Sequence, residues 1–124
     1  MSIYIGNAAE DGAQFRQWFI GDLTAWSHSA ATTSGDAAAL RDTRSVAVKW
    51  GVHLKGQARP AGWADGDELV TLSVLVSGNF VISFPEREAC LQTPGDYALW
   101  APGVRHTWRA DADSVVLTVR FRPG

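Results

Sequence analysis

The sequence predicts an all-β domain, and three observations carry that prediction. From Ser45 onward apolar residues recur at every second position, the period of a strand. Segments with this pattern are short and are separated by turns containing Gly, Pro, Asn and Asp, the punctuation of a β-sandwich or barrel. The length, 124 residues, limits the chain to one domain, because halves would fall near the size at which burial fails.

Each element follows in order. SVAVKWGVHL sets Val46, Val48, Trp50, Val52 and Leu54 on one face and Ala47, Lys49, Gly51 and His53 on the other. LVTLSVLVSG sets Val70, Leu72, Val74 and Val76 opposite Thr71, Ser73 and Leu75, and such a doubly apolar strand is expected to be buried on both faces. Ser77-Gly78-Asn79 turns the chain into FVISF, its hairpin partner. A short strand around ACLQ, the Pro94-Gly95-Asp96 turn, YALWA, the Pro102-Gly103 turn, RHTWRA and DSVVLTVRFR complete the series. Before Ser45 the pattern is weaker. Phe15, Trp18, Phe19, Leu23 and Trp26 fit a helical spacing, but WFIGDLTAW carries a central Gly and many β-formers, so a strand is expected there. His28 to Ala39 is small and polar and reads as a loop.

Composition excludes several classes of function. Eleven basic against thirteen acidic residues, without a block of either sign, is not the footprint of a nucleic-acid binder. No apolar run approaches the roughly 18 residues of a membrane span. A single cysteine, Cys90, rules out an intrachain disulfide and is expected to be a buried, inert thiol. Met1–Gln14 lacks the basic and apolar regions of a secretion signal, so a cytoplasmic protein is expected. Six tryptophans point to an aromatic-lined pocket or a subunit interface.

The segment PGDYALWAPGVRHTWRA, Pro94 to Ala110, resembles the second conserved motif of the cupin superfamily: a Gly-Asp turn, an apolar strand, a Pro-Gly turn and a His three residues beyond the second Gly. Those positions are Gly95, Asp96, Pro102, Gly103 and His106, and LSVLVSGNFVISF resembles the family's hairpin around Gly78. The likeness runs from about Arg41 to Pro123 and extends to small single-domain bacterial cupins. It implies a double-stranded β-helix, or jelly roll, usually dimeric, with a ligand or metal pocket inside. The barrel is then expected over 45–124, preceded by an N-terminal extension over 1–44 whose WFIGDLTAW segment is a candidate for pairing with a partner's sheet.

The first motif is degenerate. In the family it supplies two His and a Glu that, with the His of the second motif, hold a divalent metal; here those positions fall near Gly62, Trp63, Ala64 and Thr71. One imidazole does not hold a divalent ion tightly. No cofactor is therefore expected, and a metal, if bound, would take a non-standard set of His53, His106 and Glu68. His106 is the first functional candidate, as acid/base or hydrogen-bond anchor, with Lys55 as a second catalytic candidate. Thr71, Ser73, Trp63, Trp108 and Arg59 are the ligand-binding candidates: two hydroxyls on the face where the family contacts ligands, an aromatic on a long loop suited to a lid, an aromatic sharing strand parity with His106, and a cation. Lys49, Lys55 and Arg59 together form either a solvated rim or a mouth that attracts a carboxylate or phosphate. Arg120 and Arg122 point off the Val/Phe face, towards an exposed edge. Three functions fit: a small-molecule binder without chemistry, a metal-independent isomerase, lyase or cyclase, and an atypical metal-dependent cupin of dioxygenase or isomerase type. The expected partners are a small molecule and a second copy of the chain, with neither nucleic acid nor membrane.

Overall fold

The computed structural model describes residues 2–26 and 37–124. Eight strands form two antiparallel sheets: β1 (Trp18–Ile20), β2 (Val46–His53), β3 (Val70–Ser77), β4 (Phe80–Ser83), β5 (Glu88–Leu91), β6 (Tyr97–Trp100), β7 (Thr107–Ala110) and β8 (Ser114–Phe121). The larger sheet has the order β1-β2-β8-β3-β6 and the smaller β5-β4-β7. Every strand expected after Ser45 is present. Gly78 has φ +106°, and a side chain there would run into Asp113 and Ser114, so the β3–β4 hairpin requires glycine. Leu75, Phe80, Ile82, Leu91, Trp100, Ala110 and Val116 pack between the sheets as the core.

Directly paired residues share a face, so register decides what each side of the larger sheet presents. Lys49, Thr118, Ser73 and Ala98 form one row across β2, β8, β3 and β6, and Ala47, Arg120, Thr71 and Trp100 form another. Both face the barrel interior. The rows between them, Val48–Val119–Leu72–Leu99 and Trp50–Leu117–Val74–Tyr97, face outward. The sheet thus places a polar band inside, beside the apolar Gly51–Val116–Leu75 row and Trp100 that join the core, and apolar rows outside; β3 is only half-buried on its outer side rather than enclosed on both.

The N-terminal extension belongs to the same sheet. Within WFIGDLTAW, Trp18–Ile20 forms β1, which pairs with β2 at the edge of the larger sheet, and Leu23–Trp26 is a single helical turn. A short helix, α1 (Ala8–Gly12), precedes it, capped by the Asn7 side chain. Arg41 ties the extension together, donating from Nε to the Phe19 carbonyl at 2.9 Å and from Nη2 to that of Asp11 at 3.0 Å. Of the loop expected over His28 to Ala39, residues 28–36 lie outside the described residues. Among the described residues no helix is long and apolar enough to cross a membrane.

Candidate functional site

The two sheets enclose a cavity of about 380 Å³, within the roughly 300–1,000 Å³ typical of small-molecule sites. Its floor is the core itself, through Phe80, Ile82, Trp100 and Val116. One wall is the polar face of the larger sheet, with Lys49, Gly51, Thr71, Ser73, Thr118 and Arg120. The opposite wall carries His106 and Trp108, and β2 ends at His53 beside them. Trp18, brought in by β1, closes one end.

The two imidazoles are embedded in aromatic surface. The His53 ring centroid lies 4.4 Å from that of Trp108 and 5.0 Å from that of Phe80, and His106 lies 4.9 Å from Trp100. Gly51 makes room for His53: a Cβ at 51 would come within 2.9 Å of its Nε2. Burial, with the Lys49 ammonium adding repulsion, pulls the His53 pKa down to about 4. His106 is lowered mainly by burial and further by the Arg59 guanidinium, against an opposing contact with the Val104 carbonyl. That carbonyl only accepts, so at 3.4 Å the proton of a neutral His106 sits on Nδ1 and Nε2 keeps its lone pair. Both rings are uncharged near neutral pH.

The mouth is built from the 54–69 loop, which runs beside β7 through bridges at Ala58–Arg109 and Ala64–His106. Gly66 packs on the Gly103 backbone so closely that a side chain there would overlap it, and the Gly103 amide donates to the Asp67 carbonyl at 2.9 Å. This seating brings the Asp67 carboxylate onto the Arg120 guanidinium. Gly66→Ala should therefore cost about 1–3 kcal/mol and accelerate amide exchange at His106, whose N–H donates to Ala64. Urea denaturation and hydrogen exchange read both, and an unchanged variant would remove Gly66 as the hinge of the mouth.

The site residues expected from sequence divide into two groups. His106, His53, Thr71, Ser73, Trp108 and Arg59 all line the cavity. The hydroxyls of Ser73 and Thr118 satisfy each other at 2.9 Å, and Arg59 is steadied by the Gly62 carbonyl at 3.0 Å. Lys55 does not line it: it is exposed on the turn after β2, where its amide donates to Asp113, so it is not beside His106. Trp63 is not a lid; 42% exposed, it lies under the Arg105 guanidinium outside the cavity. Glu68 faces Arg122 on the surface rather than the imidazoles, so the set His53, His106 and Glu68 does not assemble. Arg120, expected at an exposed edge, lines the cavity instead, and Cys90, expected to be buried, is exposed because Ala89 and Leu91 take the inward positions of β5.

Trp18, Phe80, Trp100 and Thr118 are site residues that the sequence reading did not select, and Lys49, which it left between rim and mouth, lines the cavity. The available signal was parity: Lys49 and Gly51 alternate with the apolar residues of β2 on the same side as His53. Among the described residues no three His, Cys, Asp or Glu side chains converge. With Lys49 and Arg59 set against the imidazoles, the donor set does not fit the divalent ion associated with this fold.

No model of a known protein family matches the sequence, and no curated protein matches it significantly. Solved structures do resemble it. A cupin superfamily protein of Desulfitobacterium hafniense superposes with a TM-score of 0.59 at 16% identity, over 66% of this chain and 72% of that one. A cupin-2 domain protein of Shewanella frigidimarina gives 0.55 at 16% identity, over 67% and 76%. A cupin protein of Bacteroides fragilis gives 0.56 at 20% identity, over 66% and 70%. Two antiparallel sheets wrapped around a cavity, with the Gly-Asp and Pro-Gly turns delivering His106 into it, agree with these likenesses: the chain has the cupin fold, a jelly-roll β-barrel.

Proposed function

We propose that this protein binds a small organic molecule inside the barrel, with His106 as a hydrogen-bonding anchor. The observation that supports this most is the inverted sheet. Its interior face places Lys49, Thr71, Ser73, Thr118 and Arg120 around an open cavity, where a barrel built only for stability would place aliphatic side chains. Ser73 and Thr118 satisfy each other and Arg120 is paired with Asp67, so among these groups it is the partly buried Lys49 ammonium that costs free energy unless a ligand engages it. Trp108 and Phe80 supply apolar surface opposite, and Trp100 extends it from the end of the Arg120–Thr71 row. No step of this reading runs through a metal.

A second reading is favoured by the state of the imidazole itself. Neutral, with its Nε2 lone pair available, His106 is equipped to take a proton from a bound substrate, which suits a metal-independent isomerase, lyase or cyclase. Both readings predict that His106→Ala weakens binding of indole and benzamide, followed by tryptophan fluorescence, by roughly 3–10-fold, the worth of about one hydrogen bond. Equal affinity in wild type and variant for both probes would take His106 out of the site.

The assembly proposed is a homodimer through the outer face of the larger sheet. That face carries only apolar side chains in its central rows, and Tyr97 and Leu99 on it are 64% and 58% exposed.

A further inference from the structure

We infer that the ligand is a small organic monoanion, its carboxylate seated beside Lys49 and Arg120 at the Trp18 end of the cavity and its apolar body along Trp100 and Trp108. This rests on the reading that the cavity is a ligand site. Lys49 pairs in register with Thr118, two positions from Arg120 on the same face, so the two cations are diagonal neighbours. Lys49 Nζ lies 5.7 Å and Arg120 Cζ 5.9 Å from the centroid of one ring, that of Trp18. Arg120 has a counter-ion in Asp67; among the described residues Lys49 has none. Two adjacent like charges with one carboxylate between them leave an ammonium whose charge burial and Arg120 both oppose.

The charge balance selects the ligand class. At the Trp18 end of the cavity Lys49 and Arg120 stand against the one carboxylate of Asp67, an excess of one positive charge, while the exposed Asp65 pairs with Arg105 outside the cavity. One carboxylate neutralises it, whereas a phosphate dianion would overshoot. The far end presents indole rings and neutral imidazoles, with the Arg59 guanidinium beside His106 already donating to the Gly62 carbonyl, which suits a flat apolar body there.

Benzoate, benzamide and phenyl phosphate are the probes, titrated calorimetrically into wild type, Lys49→Met and Lys49→Arg. Wild type should bind benzoate at least tenfold more tightly than either other probe. Lys49→Met should lose at least tenfold for benzoate while keeping its benzamide affinity, and Lys49→Arg should retain most of the benzoate affinity. Removing an unpaired ammonium should also raise the unliganded melting temperature, so Lys49→Met is expected to fold. Benzamide binding as tightly as benzoate, or benzoate indifferent to both substitutions, overturns the anion assignment and leaves the cavity reading standing. Phenyl phosphate binding tightest overturns the monoanion class. If no probe binds wild type, both readings fall.

Discussion

Leu99→Lys and Tyr97→Lys should each convert a dimer into monomers that keep their fold. Both side chains stand on β6, at the edge of the larger sheet, more than half exposed within one chain. A lysine there costs an isolated chain little, since exposed substitutions generally shift stability by about half a kcal/mol or less. In a dimer the same lysine would press an ammonium into the Val48–Val119–Leu72–Leu99 or Trp50–Leu117–Val74–Tyr97 row, which contains no carboxylate to receive it. The expected loss is about 3 kcal/mol or more, at least a hundredfold in dimer affinity. Sedimentation velocity at micromolar concentration, with thermal denaturation in parallel, separates the two effects. A wild-type chain sedimenting at 13.4 kDa across that range would remove the dimer from the proposal.

This expectation turns on which face of the sheet is inside, and that was the least legible part of the sequence. Period-2 alternation located the strands from Val46 to Phe121, and the Gly-Asp and Pro-Gly turns located His106. Those signals are local: they depend on backbone geometry and on neighbours within a few residues. Facing is not local. The ordinary rule puts apolar residues inside, and by that rule Val48, Trp50, Leu72 and Leu117 would line the barrel while Lys49, Thr118 and Arg120 met solvent. The structure reverses this because a barrel that holds a polar cavity spends its polar residues inward. By the ordinary rule Arg120 is an edge charge and Lys49 a rim or mouth charge, and the same logic hides Trp18, whose place in the cavity depends on β1 pairing with β2 across the 25 residues between Ile20 and Val46.

The candidates that missed share another cause. Lys55, Trp63 and Glu68 all lie on the 54–69 loop, where no alternation assigns a direction to a side chain. Their orientation is decided by the long-range bridges to Arg109 and His106 and by the contact of Gly66 with Gly103. Residues on regular strands, such as Thr71, Ser73 and Trp108, do line the cavity, because strand parity carries over from sequence to structure.

Acid should destabilise this protein well before its carboxylates titrate, and His53 should be the main cause. An imidazole free in the unfolded chain titrates near 6.5, whereas in the barrel burial and the Lys49 ammonium lower it to about 4. Between those values the unfolded chain binds a proton that the folded chain refuses, so stability falls as pH falls through that window and is constant above it. Asp42 and Asp96 act in a separate range. Hydrogen bonds from Thr24 and from the Thr93 and Gln92 amides lower their pKa values below the ordinary 3.8, so their contribution is lost only under stronger acid. The His53 share across pH 6.5 to 4 is about 1–2 kcal/mol, since solvent reaching the half-buried ring screens part of the shift, with His106, shifted in the same direction, adding to it. Urea denaturation at pH 7.0, 5.5 and 4.5, followed by tryptophan fluorescence, should show this decline in wild type and a much shallower one in His53→Gln, which fills similar space and does not titrate. The groups facing His53 in the cavity include Lys49, Phe80 and Trp108, of which only Lys49 is ionisable. A stability profile flat between pH 6.5 and 4, or one equally steep in His53→Gln, would mean that the ring is hydrated rather than sealed against Trp108, and the neutral aromatic wall would be lost with it.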